Sequence, residues 1–130
     1  MYKRQRVDDI MHTGKEIPKV VENATLSEAL VEMSEKGLGV TTIVNKDNVV
    51  LGIFTDGDLR RALDSGADFK NCHVKDVMTK NGKQIIVNSL AASALALMET
   101  HRINALVVVD EKNKLCGILN MHDLLRARVI

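Results

Sequence analysis

The chain has 130 residues, of which 45% are apolar, enough to bury a core. Its formal charge is +1 and aromatic residues make up only 2%, so it has neither a basic field to steer nucleic acid nor rings for bases to stack on. No apolar run approaches a membrane span, the start MYKRQR leads into no signal-peptide core, and Cys72 and Cys116 lack metal or redox spacing. Such thiols suit a reducing cytosol, so a cytoplasmic protein without cofactor or metal is expected.

In chain order, residues 1–6 read as a linker and VDDIM at 7–11 opens the first ordered stretch. EIPKVV at 16–21 is a short extended piece, with Pro18 marking an edge or entry. Thr25 with Glu28 is a capping-box signature. Leu26, Ala29, Leu30 and Met33 follow at helical spacing, and Gly37 fits the helix end. VTTIV at 40–44 is a β-branched strand, Asn45 to Asn48 is turn chemistry, and VVLGIF at 49–54 is the returning strand. A helix from about Thr55 to Leu63 closes the stretch.

Residues 67–73 read as a second linker, after which VKDVM at 74–78 restates VDDIM. QIIV, a helix from about Ser89 to His101, the strand ALVVV, the turn DEKNK, the strand LCGIL and a helix from about Asn120 to Arg128 complete the chain. This is a repeat. GIFTDGDLRR at 52–61 recurs as GILNMHDLLR at 117–126, and Asn23, Ala29, Leu30 and Met33 recur as Asn88, Ala94, Leu95 and Met98. The copies span 7–66 and 74–130, each β-α-β-β-α. At about 60 residues one copy buries little surface. The two are expected to pack as a pseudo-two-fold pair in an α+β fold, leaving two equivalent clefts.

The closing helices carry the candidate site. Thr55 with Asp58, and Asn120 with Asp123, read first as helix caps, with the acid opposing the dipole. The same geometry favours a phosphate, because a helix N-terminus presents N–H groups and partial positive charge. An ionised Asp58 or Asp123 accepts several hydrogen bonds and suits the vicinal hydroxyls of a ribose. Asp56 and Asp58 form a D-x-D triplet, but two carboxylates alone rarely hold a metal. Arg61, repeated as Arg126, is long enough to meet an anion, whereas Arg60 reads as a solvated position. Thr41 or Thr42, placed where Leu106 and Val107 stand in the other copy, offers a hydroxyl. His101 and Arg102 stand just before the strand ALVVV, and His122 sits inside the second motif at the place of Gly57.

These elements together resemble the CBS domain pair: tandem βαββα units, each preceded by V-x-D-[IV]-M and closed by G-x-[hydrophobic]-[TN]-x-x-D-L. The resemblance covers residues 7 to 128 and implies the paired fold known as a Bateman module. It implies nucleotide phosphate and ribose contacts for Thr55, Asp58, Asn120 and Asp123, with Asn120 departing from the usual Ser or Thr. VDDIMHTGKEIPKV, GIFTDGDLRRAL and MHDLLRARVI are similar, more narrowly, to the C-terminal part of arabinose-5-phosphate isomerases. Those enzymes interconvert ribulose 5-phosphate and arabinose 5-phosphate for the eight-carbon acid sugar of lipopolysaccharide. There a sugar-isomerase domain performs the chemistry and the CBS pair follows it.

The chain begins where that pair should begin and shows no nucleophile–base pair, G-x-G-x-x-G or P-loop, so no catalysis is expected of it. The expected partners are a nucleotide or nucleotide-sugar, with CMP joined to the acid sugar favoured by pathway position and an adenine nucleotide competing. The ligand residues so implied are Thr41, Thr55, Asp56, Asp58, Arg61, Arg102, Asn120, His122 and Asp123. The resemblance further implies an attached isomerase domain, homodimers formed through the CBS helices, and a tetrameric parent. A structural role with empty clefts is the alternative.

Overall fold

The computed structural model describes residues 5–80 and 82–128. Met1 to Arg4, which belong to the expected first linker, lie outside the described residues, as do Asn81, Val129 and Ile130. Two compact units are present: Pro18–Gly82, and Lys83–Ile130 together with the leading segment up to Ile17.

The leading segment holds a short helix α1 (Val7–Ile10) and a 3-10 turn (Gly14–Glu16). The unit Pro18–Gly82 then runs β1 (Lys19–Val21), α2 (Leu26–Lys36), β2 (Val40–Val44), β3 (Val50–Thr55), α3 (Asp56–Asp64) and a 3-10 turn (Val74–Asp76). Its sheet has the order β1-β2-β3, parallel then antiparallel. The other unit repeats this with β4 (Gln84–Ile86), α4 (Ala91–His101), β5 (Ala105–Val109), β6 (Leu115–Asn120) and α5 (Met121–Arg126). Its sheet has the order β4-β5-β6. Even the irregularities repeat: the register slips between Ile43 and Val44, and again between Val108 and Val109.

Local chemistry explains the elements. The Thr25 side chain accepts from the Glu28 amide while Glu28 accepts from the Thr25 amide, closing the expected capping box. Gly37 ends α2 at φ 68°, a left-handed value that suits glycine. The second copy lacks this start. Leu90 stands in place of Thr25 and offers no oxygen, and the helix expected from about Ser89 begins at Ala91. The buried stripes match: Leu26, Ala29 and Met33 on α2, Ala91, Ala94 and Met98 on α4.

Residues 67–73, expected as a linker, are built into their unit. The Cys72 and Phe69 carbonyls accept from the amides of Leu26 and Ser27, which have no partner within the first turn of α2. Phe69 and Cys72 also pack on the core around Phe54 and Ile43. The V-x-D-[IV]-M elements cross the boundaries of the repeat. Val7, fully buried, packs in the core of Met98, Leu106 and Leu124, all from the second copy. Val74 packs with Ala29, Ile43 and Phe54 of the first copy. The sequence repeats at 7–66 and 74–130, but each compact unit takes its leading valine from the other repeat's opening element.

Candidate functional site

In the unit Pro18–Gly82 the site is built where β3 turns into α3. Thr55 is the N-cap, with extended backbone, and its hydroxyl accepts from the Asp58 amide. Asp58 is buried, and its carboxylate is fully engaged. Oδ2 accepts from the Thr55 amide at 2.9 Å and the Thr55 hydroxyl at 3.1 Å. Oδ1 accepts from Arg61 at 2.6 Å and from the Thr79 hydroxyl at 2.7 Å. Two carboxylate oxygens offer about four acceptor positions, and these donors use them all. Asp56 is exposed on the first turn, and the Arg61 side chain is 69% exposed beyond its contact with Asp58.

The other unit repeats the arrangement where β6 turns into α5. The Asn120 side chain accepts from the Asp123 amide, and Asp123 Oδ2 accepts from the Asn120 amide at 2.7 Å. Asp123 Oδ1 accepts from Arg126 at 2.6 Å and faces His12 Nε2 at 2.8 Å. The first amide of α5, on Met121, is taken by the Asn104 carbonyl at 2.9 Å.

Thr79 and His12 are the residues that sequence reasoning missed. Each directly follows the methionine of a V-x-D-[IV]-M element, so they occupy the same place in the repeat. Each is seated by a two-way backbone bridge: Thr79 with Ile53, His12 with Ile118. That places a polar side chain over the capping aspartate of each unit. The available signal was the repeat itself, which extends one residue beyond the methionine with a polar side chain in both copies.

The His12 ring also meets Glu16, through Nδ1 at 2.7 Å. Burial pushes its pKa down, but the hydrogen bond to Glu16 and the charge of Asp123 outweigh that, and it lies above the ordinary imidazole value.

The remaining expected site residues are dispersed. Thr41 is fully buried and its hydroxyl donates to the Ala29 carbonyl of α2 at 3.2 Å, so that oxygen serves the core. The neighbouring Thr42, equally buried, carries the strand hydroxyl without a hydrogen-bond partner among the described residues. Arg102 is exposed and ends α4 in a left-handed conformation at φ 54°. His122 is exposed on the first turn of α5. The structure thus brings together Thr55, Asp58 and Arg61 with Thr79, and Asn120, Asp123 and Arg126 with His12.

The CBS domain model matches residues 7–65 and 74–130. The arabinose 5-phosphate isomerase KdsD of Pseudomonas aeruginosa is 50% identical over 125 residues, which is 96% of this chain and 38% of that protein. The chain therefore spans well under half of that relative. Among solved structures, Hypoxic Response Protein I with two coordinated zinc ions superposes at a TM-score of 0.82 and 27% identity, covering 94% of this chain and 98% of that one. CBSX2 in complex with AMP gives 0.82 at 24% identity, covering 96% of each, a likeness of fold alone.

Proposed function

This chain belongs to the CBS domain family as a tandem pair, and we propose that it is the ligand-sensing regulatory part of an arabinose-5-phosphate isomerase. The observation that carries this reading is the 50% identity to KdsD across 96% of the chain. The activity proposed for the parent is the interconversion of ribulose 5-phosphate and arabinose 5-phosphate, performed by an attached sugar-isomerase domain. The proposed setting is the cytoplasm, and no described helix is long and apolar enough to cross a membrane.

The ligand proposed is a nucleotide or nucleotide-sugar, such as CMP joined to the eight-carbon acid sugar, held at the capping box of α3. A phosphate suits a helix start headed by a threonine hydroxyl. Asp58 accepts a ribose hydroxyl only if one of its present donors leaves. Arg61 is the donor free to do so, since most of its side chain is in solvent. Its guanidinium would then turn from Asp58 to the ligand's phosphate or carboxylate, so the same ligand supplies the new donor and the new anion. The six-residue α5, with its first amide already taken, is the weaker of the two mouths.

Regulation of the parent requires that the ligand bind two states of the enzyme with different affinity. Calorimetric titration of the chain with the CMP-linked sugar, CMP, AMP and ATP tests the reading. Saturable binding of one of them, weakened in Arg61→Ala with the melting temperature unchanged, supports it. Absence of heat with all four in folded protein removes it. A second reading, self-association, draws on exposed Leu63 on α3 and Leu125 on α5. A sedimentation coefficient that stays that of a monomer at high concentration would eliminate it.

A further inference from the structure

We propose that His12 is a proton-operated clamp, fastening the leading segment to α5 as an imidazolium held between Glu16 and Asp123 and half-releasing when neutral. The geometry requires two ring donors. Nδ1 faces Glu16 Oε1 at 2.7 Å and Nε2 faces Asp123 Oδ1 at 2.8 Å. Ionised carboxylates only accept, and a neutral imidazole has only one N–H. Only the protonated ring satisfies both contacts. The backbone fixes the ring's origin, because the His12 amide and carbonyl both bond to Ile118 of β6.

Among the described residues, the charged groups around the ring are few. Glu16 comes from the 3-10 turn of the same segment and is 70% exposed. Asp123 comes from α5 and is 2% exposed. Arg126, also on α5, shares Oδ1 of Asp123 and opposes a second positive charge, but it is 69% exposed and largely screened. Two carboxylates against one screened cation favour the imidazolium. The raised pKa of His12 agrees in direction.

The sign follows from linkage. A group whose folded pKa is raised contributes stability that is complete below its unfolded value and is lost as pH rises through the folded value. The unit holding the leading segment should therefore weaken from mildly acidic to mildly alkaline pH. The box of the unit Pro18–Gly82 carries no imidazole at this place, because the uncharged Thr79 hydroxyl fills it. The clamp acts on the protein without any ligand and so stands apart from the nucleotide reading.

Two measurements on the whole chain test it. Nitrogen-15 shifts of His12 followed against pH should show both ring nitrogens protonated at mildly acidic pH, with a midpoint above the ordinary imidazole value. His12→Thr, which installs the residue used at the equivalent position, should flatten part of the fall in melting temperature between about pH 6 and 9. His73, His101 and His122 remain in that variant as an internal control. Glu16→Gln, at an exposed position, should lower the His12 midpoint without unfolding the chain. A single-tautomer neutral ring at mildly acidic pH, or an unchanged midpoint in Glu16→Gln, would overturn the clamp. So would an identical slope of melting temperature in His12→Thr.

Discussion

Gly117 lies directly against Met11: a Cβ there would stand 2.5 Å from Met11 Sδ and 2.9 Å from the His12 carbonyl oxygen. Gly52 stands in the same relation to the other repeat, with its Cβ position 2.8 Å from Met78 Sδ and 2.7 Å from the Thr79 carbonyl. The methionine side chain can yield, but the carbonyl cannot, because it is bridged to the neighbouring strand residue. The glycine of each G-I pair is therefore a docking notch for the V-x-D-[IV]-M element. Gly52→Ala and Gly117→Ala are each expected to destabilise by about 1–3 kcal/mol, as overpacked sites do. Denaturant titration checks this, and an unchanged midpoint in either variant would refute the notch.

This relation shows what was legible and what was not. The strands, the helices and the cap Thr25–Glu28 could be read because each depends on residues close in sequence. The repeat was legible because it is written in identities. That Gly117 exists for Met11 could not be read, since the two are far apart in the chain and meet only once β6 and the leading segment are folded. The expectation that Asp58 and Asp123 sit at helix starts held for the same local reason. What holds their carboxylates, Thr79 and His12, arrives from a distant segment and was missed. The sequence offers the hydroxyl of Thr41 or Thr42 without distinguishing them; the fold gives that of Thr41 to the Ala29 carbonyl of α2 and leaves that of Thr42 without a hydrogen-bond partner among the described residues.

Asp58 anchors α3 whether or not a ligand visits it. Removing its carboxylate strips the cap from the Thr55 amide and leaves the hydroxyl of Thr79 without its acceptor. Asp58→Ala should cost about 2–3 kcal/mol, combining a lost cap with a lost buried acceptor. Asp56→Ala, at an exposed position of the same turn, should stay within about 0.5 kcal/mol of the parent. Thermal melts separate the two. Equal melting temperatures would mean that the four donors contribute nothing measurable. Ligand assays on Asp58→Ala, and on Arg61→Ala, which removes one of those donors, therefore need a stability control that Asp56→Ala does not.

The missing cap of α4 can be restored. Leu90 and Ser93 occupy the places of Thr25 and Glu28, and Leu90 makes no side-chain cap. Leu90 is 38% exposed, so a smaller polar residue loses little buried surface. Leu90→Thr combined with Ser93→Glu should stabilise the chain by about 0.5–1 kcal/mol. A lower melting temperature in the double variant would show that Leu90 is held for packing, outweighing the cap.

The two hairpin turns should part company in acid. Asn45 Oδ1 accepts from the amides of Asp47 and Val49 at 2.8 and 3.0 Å. Asp110 Oδ1 does the same for Lys112 and Lys114 at 2.8 and 2.9 Å. The geometry is shared, but only Asp110 titrates. Its bond from the Lys114 amide, then that from Lys112 and the charges of both lysines, hold its pKa below the ordinary carboxylate value against the opposing effect of burial. A depressed folded pKa gives stability that is present above the unfolded value and lost as pH falls through the folded one. Between roughly pH 4 and 2 the amides of Lys112 and Lys114 should lose protection from exchange while those of Asp47 and Val49 keep theirs. Asp110→Asn should remove the difference, since the amide oxygen accepts the same two bonds at every pH. Parallel loss at both turns in the parent chain would mean that acid acts on the fold elsewhere and that the Asp110 charge is incidental to its turn.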